Sequence, residues 1–451
     1  MKANRTVIRN GRVIDPAQGI DRVADVLVAD GCIAEITTAP MATAPEGHAV
    51  IDAAGLVVSP GFIDLHTHLR DPGYEWKETL ESGTRAAARG GFTTVCAMPN
   101  TNPCQDNAAI IEDVTRRASR DAIVRVLLIG AITKGRHGKT LAPMGEMAAA
   151  GVIGFSDDGD PVEDPNVMRQ ALGYSSSLGL PIINHAEERS LVRGGVMNEG
   201  PVATRLGLPG APASAEAVMI ARDIELAALT GGKLHVPHVS TAAGVGLIRA
   251  AKERGLDVTA EVTPHHLTLS DEWVYGMHGD VPEVILPTAY DTNTKVNPPL
   301  RSRADVDAVI AALADGTIDI IATDHAPHAA TDKVCTYNEA AHGINVLETA
   351  FAQVMQLVHS GEMSLPELIS RLTVKPAALL GTKTGSLTRG NAADIVILDP
   401  GAEWTVSAQD FASLSRNTPL DGVTLKGRVI ATVFGGNVVW DARSAAAGAI
   451  S

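Results

Sequence analysis

The feature of this chain that most restricts its fold is an eightfold alternation of strand-like and helix-like segments between residues 59 and 377. Apolar runs predict eight strands, at Val57–His66, Thr93–Met98, Val124–Gly130, Val152–Ser156, Pro181–His185, Lys233–His238, Asp257–Glu261 and Ile318–Thr323. Helical periodicity separates them, for example at Thr79–Arg89, Asn166–Leu178, Ala213–Leu229 and Ala304–Ala314. Alternating strands and helices build parallel sheets, and eight such units close into a TIM-like barrel. The predicted fold class is therefore α/β, with a (β/α)8 barrel.

Both ends of the chain have a different sequence pattern, in which short segments of alternating apolar and polar residues and turn dipeptides replace the helical segments. Near the N-terminus, Asn10-Gly11 and Asp30-Gly31 are typical of hairpin turns. We expect residues 1–58 and 378–451 to join into one small β-sandwich domain beside a barrel at 59–377. The connection Leu267–Val296 is rich in Gly, Pro, Asp and Thr, which predicts a long surface insertion before the eighth strand.

The charge of the chain restricts its partners. Its 451 residues carry a formal net charge of −15, which argues against nucleic acid and anionic membranes as partners. No segment approaches the roughly 20 apolar residues of a membrane helix, and the first residues show no signal-peptide pattern. The four cysteines are scattered without a CxxC pair, as in reduced cytoplasmic proteins. We therefore expect a cytoplasmic protein in which any small anionic ligand needs a local cation to receive it.

Histidines follow several of the predicted strands. His66 and His68 close the first strand, two residues apart, so that both imidazoles point to the same face. His185 and His238 follow the fifth and sixth strands. The carboxyl ends of barrel strands share one face, so these imidazoles are expected to converge as the nitrogen ligands that zinc favours. Each of them alone is more often a buried, hydrogen-bonded histidine than a ligand. We interpret His235 as a structural residue or as one that contacts a ligand from outside.

Carboxylates occur at two further strand ends. Asp324 ends the eighth strand, where it can ligate a metal ion and take a proton from water, although an N-cap is the alternative role. Asp157 and Asp158 follow the fourth strand, and either can bridge two ions if the pair is more than an acidic turn.

A candidate cation lies beside the histidine pair. Arg70 comes two residues after His68, and its planar guanidinium suits a carboxylate ligand. Asn100 lies just past the second strand and supplies an amide. A surface ion pair with Asp71 or Glu75 is the alternative for Arg70.

Four motifs give the chain a family resemblance over nearly its whole length. They are GFIDLHTHLRDPG at residues 61–73, MPNT at 98–101, VNPPLR at 296–301 and ATDHAPH at 322–328. On these motifs the chain resembles the amidohydrolase superfamily and, within it, the dihydroorotases of the long bacterial type. The resemblance implies a barrel of the metal-dependent hydrolase type that carries a split β domain.

The resemblance also implies a set of zinc ligands. The histidine pair of the first motif would bind one ion together with Asp324, a second ion would lie at the other two histidines, and Asp158, or else Asp157, would bridge them. Whether one or two Zn²⁺ ions bind each chain stays open. The implied ligands are His66, His68, Asp158, His185, His238 and Asp324.

The implied substrate contacts lie in the same motifs. Arg70, Asn100 and His328 would hold a carboxylate, while Asn297 and the backbone near Gly343 would hold a pyrimidine ring. One departure is His342, which stands where an apolar residue is expected before that glycine.

The activity implied by the resemblance is the reversible cyclisation of N-carbamoyl-L-aspartate to (S)-dihydroorotate in pyrimidine biosynthesis. Asp324 would carry the proton from water to the leaving ring nitrogen, and the loop Ala329–Asn338 would cover the site. A homodimer, and an association with aspartate transcarbamoylase, are the partners expected.

Two alternatives remain at this point. One is another cyclic amidase: an allantoinase, a hydantoinase or a dihydropyrimidinase. The last two usually place a carboxylated lysine at the metal bridge, whereas the fourth strand here ends without a lysine. The other is an inactive dihydroorotase-like subunit that scaffolds aspartate transcarbamoylase, but such subunits lose the ligand histidines that this chain keeps.

Overall fold

The computed structural model describes residues 5–276 and 284–444, so the outermost parts of the predicted terminal domain and part of the predicted insertion Leu267–Val296 lie outside the described residues. In chain order the strands are β1 (Arg5–Asp15), β2 (Ile20–Ala29), β3 (Cys32–Ile36), β4 (Ala49–Asp52), β5 (Val57–Pro60), β6 (Phe62–Thr67), β7 (Phe92–Ala97), β8 (Arg125–Leu128), β9 (Phe155–Ser156), β10 (Ile182–Ile183), β11 (Met197–Asn198), β12 (Gly210–Ala211), β13 (Leu234–Val236), β14 (Val258–Val262), β15 (Ile320–Ile321), β16 (Ile395–Thr405), β17 (Thr424–Phe434) and β18 (Asn437–Asp441). The α-helices are α1 (Leu80–Arg89), α2 (Ala108–Asp121), α3 (Met144–Ala149), α4 (Pro165–Leu178), α5 (Arg189–Val192), α6 (Pro201–Leu206), α7 (Ser214–Thr230), α8 (Ala242–Glu253), α9 (Pro264–Thr268), α10 (Arg303–Asp315), α11 (Ala330–Lys333), α12 (Ala350–Ser360), α13 (Leu365–Leu372) and α14 (Val374–Leu380).

Strands from both ends of the chain form one sheet. Its order is β18-β17-β16-β5-β1-β2-β3, with β4 paired to β1. Asp30 and Gly31 both have positive φ and make the predicted tight turn between β2 and β3. The turn predicted at Asn10-Gly11 is wrong. The register between β1 and β2 shifts between Ile8 and Gly11, where Arg9 and Asn10 oppose the single residue Asp25 as a bulge inside one long strand.

Eight short parallel strands form the barrel. β6, β7 and β8 pair in one run, and β9, β10, β13, β14 and β15 pair in another. Isolated bridges join the two runs, Gly130 with Phe155 and Thr67 with His325. The carboxylate of Asp64 strengthens the second junction, because it accepts hydrogen bonds from the backbone N and the Oγ1 of Thr323, at 2.8 and 2.6 Å. The predicted barrel with its small terminal β domain is thus confirmed.

The first predicted strand, Val57–His66, is wrong as a single element. β5 pairs with β1 and β16 in the terminal sheet, whereas β6 pairs with β7 in the barrel. The chain passes from one sheet to the other at Gly61, where a Cβ would lie 2.3 Å from side-chain atoms of Thr93, so that only glycine fits. β5 therefore straddles the predicted domain limit between residues 58 and 59, and the domain limits remain a prediction.

The helices start where capping side chains are available. Thr79 caps α1 by accepting a hydrogen bond from the backbone N of Ser82, and Asp164 caps α4, whose first residue is proline. The four helices predicted from periodicity differ from α1, α4, α7 and α10 by at most one residue at each end. Across the described ranges, no helix combines the length and the apolar character needed to cross a membrane.

Candidate active site

Two groups of imidazole and carboxylate side chains share one aspartate. His66, His68 and Asp158 form the first group, and Asp158, His185 and His238 form the second. Within each group the ligand atoms lie within 4.8 Å of one another, and all five side chains are buried. They stand at or just beyond the carboxyl ends of β6, β9, β10 and β13, which open on the same face of the barrel. The structure therefore brings together the four histidines that the sequence singled out.

Asp324 completes the first group. It follows β15, and its Oδ1 lies 3.0 Å from His68 Nε2 and 3.4 Å from His66 Nε2. The backbone of Asp324 is left-handed, with a φ of 46°, as is that of His238, at 35°. Non-glycine residues held in this region store strain, and such residues cluster at functional sites.

The donor set fits a metal ion. His66 Nε2 and Asp158 Oδ1 are buried, and neither has a hydrogen-bond partner among the residues that the structure describes. Asp158 Oδ1 lies 3.4 to 3.7 Å from nitrogens of His66, His238 and His185, which is long for hydrogen bonds. Buried polar atoms without partners are rare, and nitrogen and carboxylate ligands of this kind suit zinc and related divalent ions.

The charges of the group also favour a cation. Burial opposes the charged form of His66, but the carboxylates of Asp158 and Asp324 outweigh burial and raise its pKa well above the usual value. Burial likewise opposes ionisation of Asp158, yet His66 and the other imidazoles hold its pKa well below the usual range. The pKa of Asp324 is lowered in the same way, against burial, by His66 and His68. The carboxylates therefore stay ionised and attract positive charge, which a metal ion can supply in place of protons.

Outer contacts orient the first histidine pair. The carboxylate of Glu261, buried at the end of β14, accepts from His66 Nδ1 at 2.7 Å and from His235 Nε2 at 3.0 Å. His235 Nδ1 lies 2.8 Å from Thr259 Oγ1. Asn100 Oδ1 accepts from His68 Nδ1 at 2.9 Å. These contacts turn the free ring nitrogens of His66 and His68 toward the ligand group. The sequence analysis missed Glu261, although it lies at a strand end as the predicted ligands do.

The two neighbouring aspartates point in different directions. The carboxylate of Asp157 accepts from the backbone N of Ile132 at 2.8 Å and of Thr133 at 3.0 Å, and from Thr133 Oγ1. Burial raises the pKa of Asp157 to about 6, against these hydrogen bonds. Arg136 donates to the backbone O of Asp158 at 3.0 Å. Asp157 thus binds the backbone of Ile132 and Thr133, whereas Asp158 faces the histidines.

A cavity of about 370 Å³ opens above the ligand groups, within the range of small-molecule sites. Arg70, Asn100 and His328 line one side of it. Arg70 has a positive φ, donates to the backbone O of Pro327 at 3.2 Å and lies 3.3 Å from His328 Nε2. Burial lowers the pKa of Arg70 to about 10, so it stays charged at neutral pH.

Asn297 and Gly343 also line the cavity, and Gly343 lies beside His328. Asn297 Nδ2 donates to Glu187 Oε2 at 2.7 Å and lies 3.1 Å from His185 Nε2. Gly343 has a φ of 146°, and a Cβ there would lie 2.7 Å from Ala326. The backbone O of His342 accepts a hydrogen bond from His328 Nε2 at 2.9 Å. This contact uses the backbone, so it does not depend on having an apolar side chain at position 342.

One residue near Gly343 comes from the terminal part of the chain. Asn417, between β16 and β17, donates to the backbone O of Ala326 and of Gly343, each at 3.0 Å. Its Oδ1 accepts from the backbone N of His328 at 3.0 Å. The sequence analysis missed Asn417, and no local pattern marks it.

Relatives and family models agree on one family. Residues 55–243 match the family model described as Dihydro-orotase-like. The dihydroorotase of Anaeromyxobacter dehalogenans is 51% identical over 432 residues, which cover 96% of this chain and 97% of that protein. The dihydroorotase of Syntrophus aciditrophicus is 48% identical over 436 residues, covering 97% of this chain and 99% of that protein.

Solved structures share the fold. The L-hydantoinase (dihydropyrimidinase) from Arthrobacter aurescens superposes with a TM-score of 0.85 at 28% identity, over 97% of this chain and 96% of that one. The D-hydantoinase (dihydropyrimidinase) from Thermus sp. gives a TM-score of 0.78 at 25% identity, over 96% and 94%. Since the hydantoinases are much less similar in sequence than the dihydroorotases, the chain belongs to the dihydroorotase family of the amidohydrolase superfamily.

Proposed function

We propose that this chain is a zinc-dependent dihydroorotase that catalyses the reversible cyclisation of N-carbamoyl-L-aspartate to (S)-dihydroorotate in de novo pyrimidine biosynthesis. The observation that carries the proposal is one cavity in which the half-buried Arg70 and both ligand groups meet. A cyclic amide with an attached carboxylate needs this combination. The relatives named dihydroorotase, at about half identity over the whole chain, support the same activity.

Arg70, Asn100 and His328 would hold the substrate carboxylate. A desolvated guanidinium binds a carboxylate strongly, and the amide of Asn100 is already fixed through its Oδ1 to His68, which leaves its Nδ2 to donate. Asn297 and the backbone of Gly343, which line the same cavity, would hold the ring. Fixing both ends orients the amide carbonyl over the ligand groups.

The proposed zinc ligands are His66, His68, Asp158, His185, His238 and Asp324. One or two zinc ions, when bound, would lower the pKa of water towards about 7 and polarise the amide carbonyl. Asp324 would take a proton from the attacking water as the new carbon–oxygen bond forms. It would return that proton to the ring nitrogen as the carbon–nitrogen bond breaks. The neighbouring histidines lower the pKa of Asp324 and so keep its carboxylate ionised, which is the form that can accept a proton.

The alternatives have less support. In place of a bridging lysine, Asp158 faces the histidines, and the residues that line the cavity include no lysine. This argues against a hydantoinase or a dihydropyrimidinase. Allantoinases are expected to lack the arginine at position 70. An inactive scaffold subunit would have lost ligand histidines, whereas all four lie together here.

One experiment tests the proposal. Purified protein is assayed with dihydroorotate, hydantoin, dihydrouracil and allantoin, and its metal content is measured in the same preparation. We expect hydrolysis of dihydroorotate in preference to the other three, with zinc bound. Preferred turnover of hydantoin or dihydrouracil, or full inactivity of the metal-loaded protein, would contradict it.

The cellular context also remains a proposal. We propose a cytoplasmic homodimer that can associate with aspartate transcarbamoylase. Its acidic charge and its scattered cysteines support the location. Light scattering of the purified chain, alone and mixed with the transcarbamoylase, would test both associations.

A further inference from the structure

A buried lysine lies next to the two chain segments that carry Asn297 and Gly343. Lys333, the last residue of α11, is 5% exposed, and its Nζ donates to three backbone carbonyls. They are those of Thr292 at 3.0 Å, Lys295 at 3.2 Å and Ala341 at 2.7 Å. An ammonium group has three N–H donors, and here every one has an acceptor. Lys333 is not among the residues that line the active-site cavity, so it acts through the backbone that it holds.

The three carbonyls belong to two separate segments. Thr292 and Lys295 lie on the connection that leads to Asn297, and Ala341 lies two residues before Gly343. The backbone O of Lys295 also accepts from the backbone N of Gly343 at 2.9 Å. Lys333 Nζ and the backbone N of Gly343 therefore donate to the same oxygen, the backbone O of Lys295. Lys333 thus links the two segments.

Reciprocal contacts strengthen this junction. Thr292 Oγ1 donates to the backbone O of Lys333 at 2.7 Å, and Lys295 Nζ donates to the backbone O of Asn338 at 2.9 Å. Burial and the charge of Lys295 lower the pKa of Lys333 to about 7, while the three carbonyl acceptors favour its charged form. The junction thus depends on an ammonium group held mainly by backbone oxygens.

We propose that Lys333 is a positioning residue that assembles the ring-binding wall of the active site, by holding the segments of Asn297 and Gly343 in register. This inference rests on the proposed function, in which those two residues hold the ring. It assigns the loop Ala329–Asn338 a role as the internal support of the wall as well as a cover. Loss of the ammonium loosens substrate binding and leaves the metal ligands in place.

Lys333→Met is the direct test, with Lys375→Met as the matched control because Lys375 is exposed on α14. We expect KM for dihydroorotate to rise about tenfold, as for loss of one or two hydrogen bonds. Zinc content should be unchanged, and kcat should stay within about threefold. Backbone amides of residues 291–297 and 340–344 should exchange hydrogen faster. The control should match the wild type in all four measurements.

Thr292→Val is the second variant, because it removes one bond of the junction and keeps the lysine. It should raise KM by about twofold to fivefold and speed exchange in the same segments. Unchanged KM and unchanged hydrogen exchange in Lys333→Met would overturn the proposal. If Lys333→Met does not fold, the same result in Thr292→Val would overturn it. Loss of zinc together with kcat would also overturn it. A wild-type protein without dihydroorotate turnover would refute the proposed function instead, and hydrogen exchange would still test the junction.

Discussion

Replacing Glu261 separates the two things that this buried carboxylate supplies to the metal centre, its charge and its hydrogen bonds. In Glu261→Gln the side-chain oxygen can still accept from His66 Nδ1. The new amide group faces His235 Nε2, which must then become an acceptor. His235 can make this change, because its Nδ1 lies 2.8 Å from Thr259 Oγ1, a hydroxyl oxygen that can accept a hydrogen bond from Nδ1–H. The glutamine variant therefore keeps both hydrogen bonds and loses only the charge.

The size of the effect follows from those two bonds. A hydrogen bond to a charged group contributes about 1.5–3 kcal/mol and a neutral one about 0.5–1.5 kcal/mol. The 2.7 Å bond to His66 thus weakens by about 1.4 kcal/mol, or roughly tenfold in zinc affinity. Glu261→Ala removes both bonds and leaves His66 free to turn, so we expect a loss of about a hundredfold.

Zinc dissociation constants, measured by competition with a chromophoric chelator, test this order. Thr259→Val alone should leave the affinity within about twofold, because Glu261 keeps both of its bonds. The double variant Thr259→Val with Glu261→Gln should have the zinc affinity of Glu261→Ala, because His235 then has no acceptor for its Nδ1 proton. Equal zinc affinity in the wild type and in a folded Glu261→Ala variant would refute the reasoning.

Three further predictions concern the cavity. Arg70→Met should lower kcat/KM for dihydroorotate by roughly 10²–10⁴-fold, since it loses two charge-assisted hydrogen bonds, while metal analysis shows unchanged zinc; unaltered kinetics would exclude its role. Asp324→Asn should lower kcat by about 10²–10⁴-fold in steady-state assays with most zinc retained, and near wild-type turnover would remove it as the proton carrier. Gly343→Ala would place a Cβ 2.7 Å from Ala326 and should cost about 1–3 kcal/mol in thermal or denaturant unfolding; a variant as stable as the wild type would contradict this contact.

The four histidines of the candidate site were predictable because two simple rules converge on them. Apolar runs mark the barrel strands, and the carboxyl ends of parallel strands open on one face, so His185 and His238 had to approach the pair His66 and His68. Glu261 follows the same rule. It was missed because the sequence analysis used strand ends only where a histidine or a family motif drew attention to them.

Other features depend on contacts that no local pattern encodes. Asp157 and Asp158 are adjacent and chemically alike, and the backbone of Ile132 and Thr133 decides which one turns away. Asn417 lies between β16 and β17, far along the chain from Ala326 and Gly343, yet it donates hydrogen bonds to the backbone O of both. The change of sheet at Gly61 interrupts a continuous apolar run, so hydrophobicity alone predicted one strand where there are two.

During protein synthesis, the group of candidate ligands can form only after Thr323 is available to pair with Asp64. These residues are 259 positions apart, and ribosomes add about 5–20 residues per second, so roughly 13–50 s separate their emergence. Throughout that interval the nascent chain carries His66 and His68 without Asp324. A metal ion can therefore meet the complete group of candidate ligands only after Asp324 has been added to the chain, and metal ions in the cell meet an incomplete group until then.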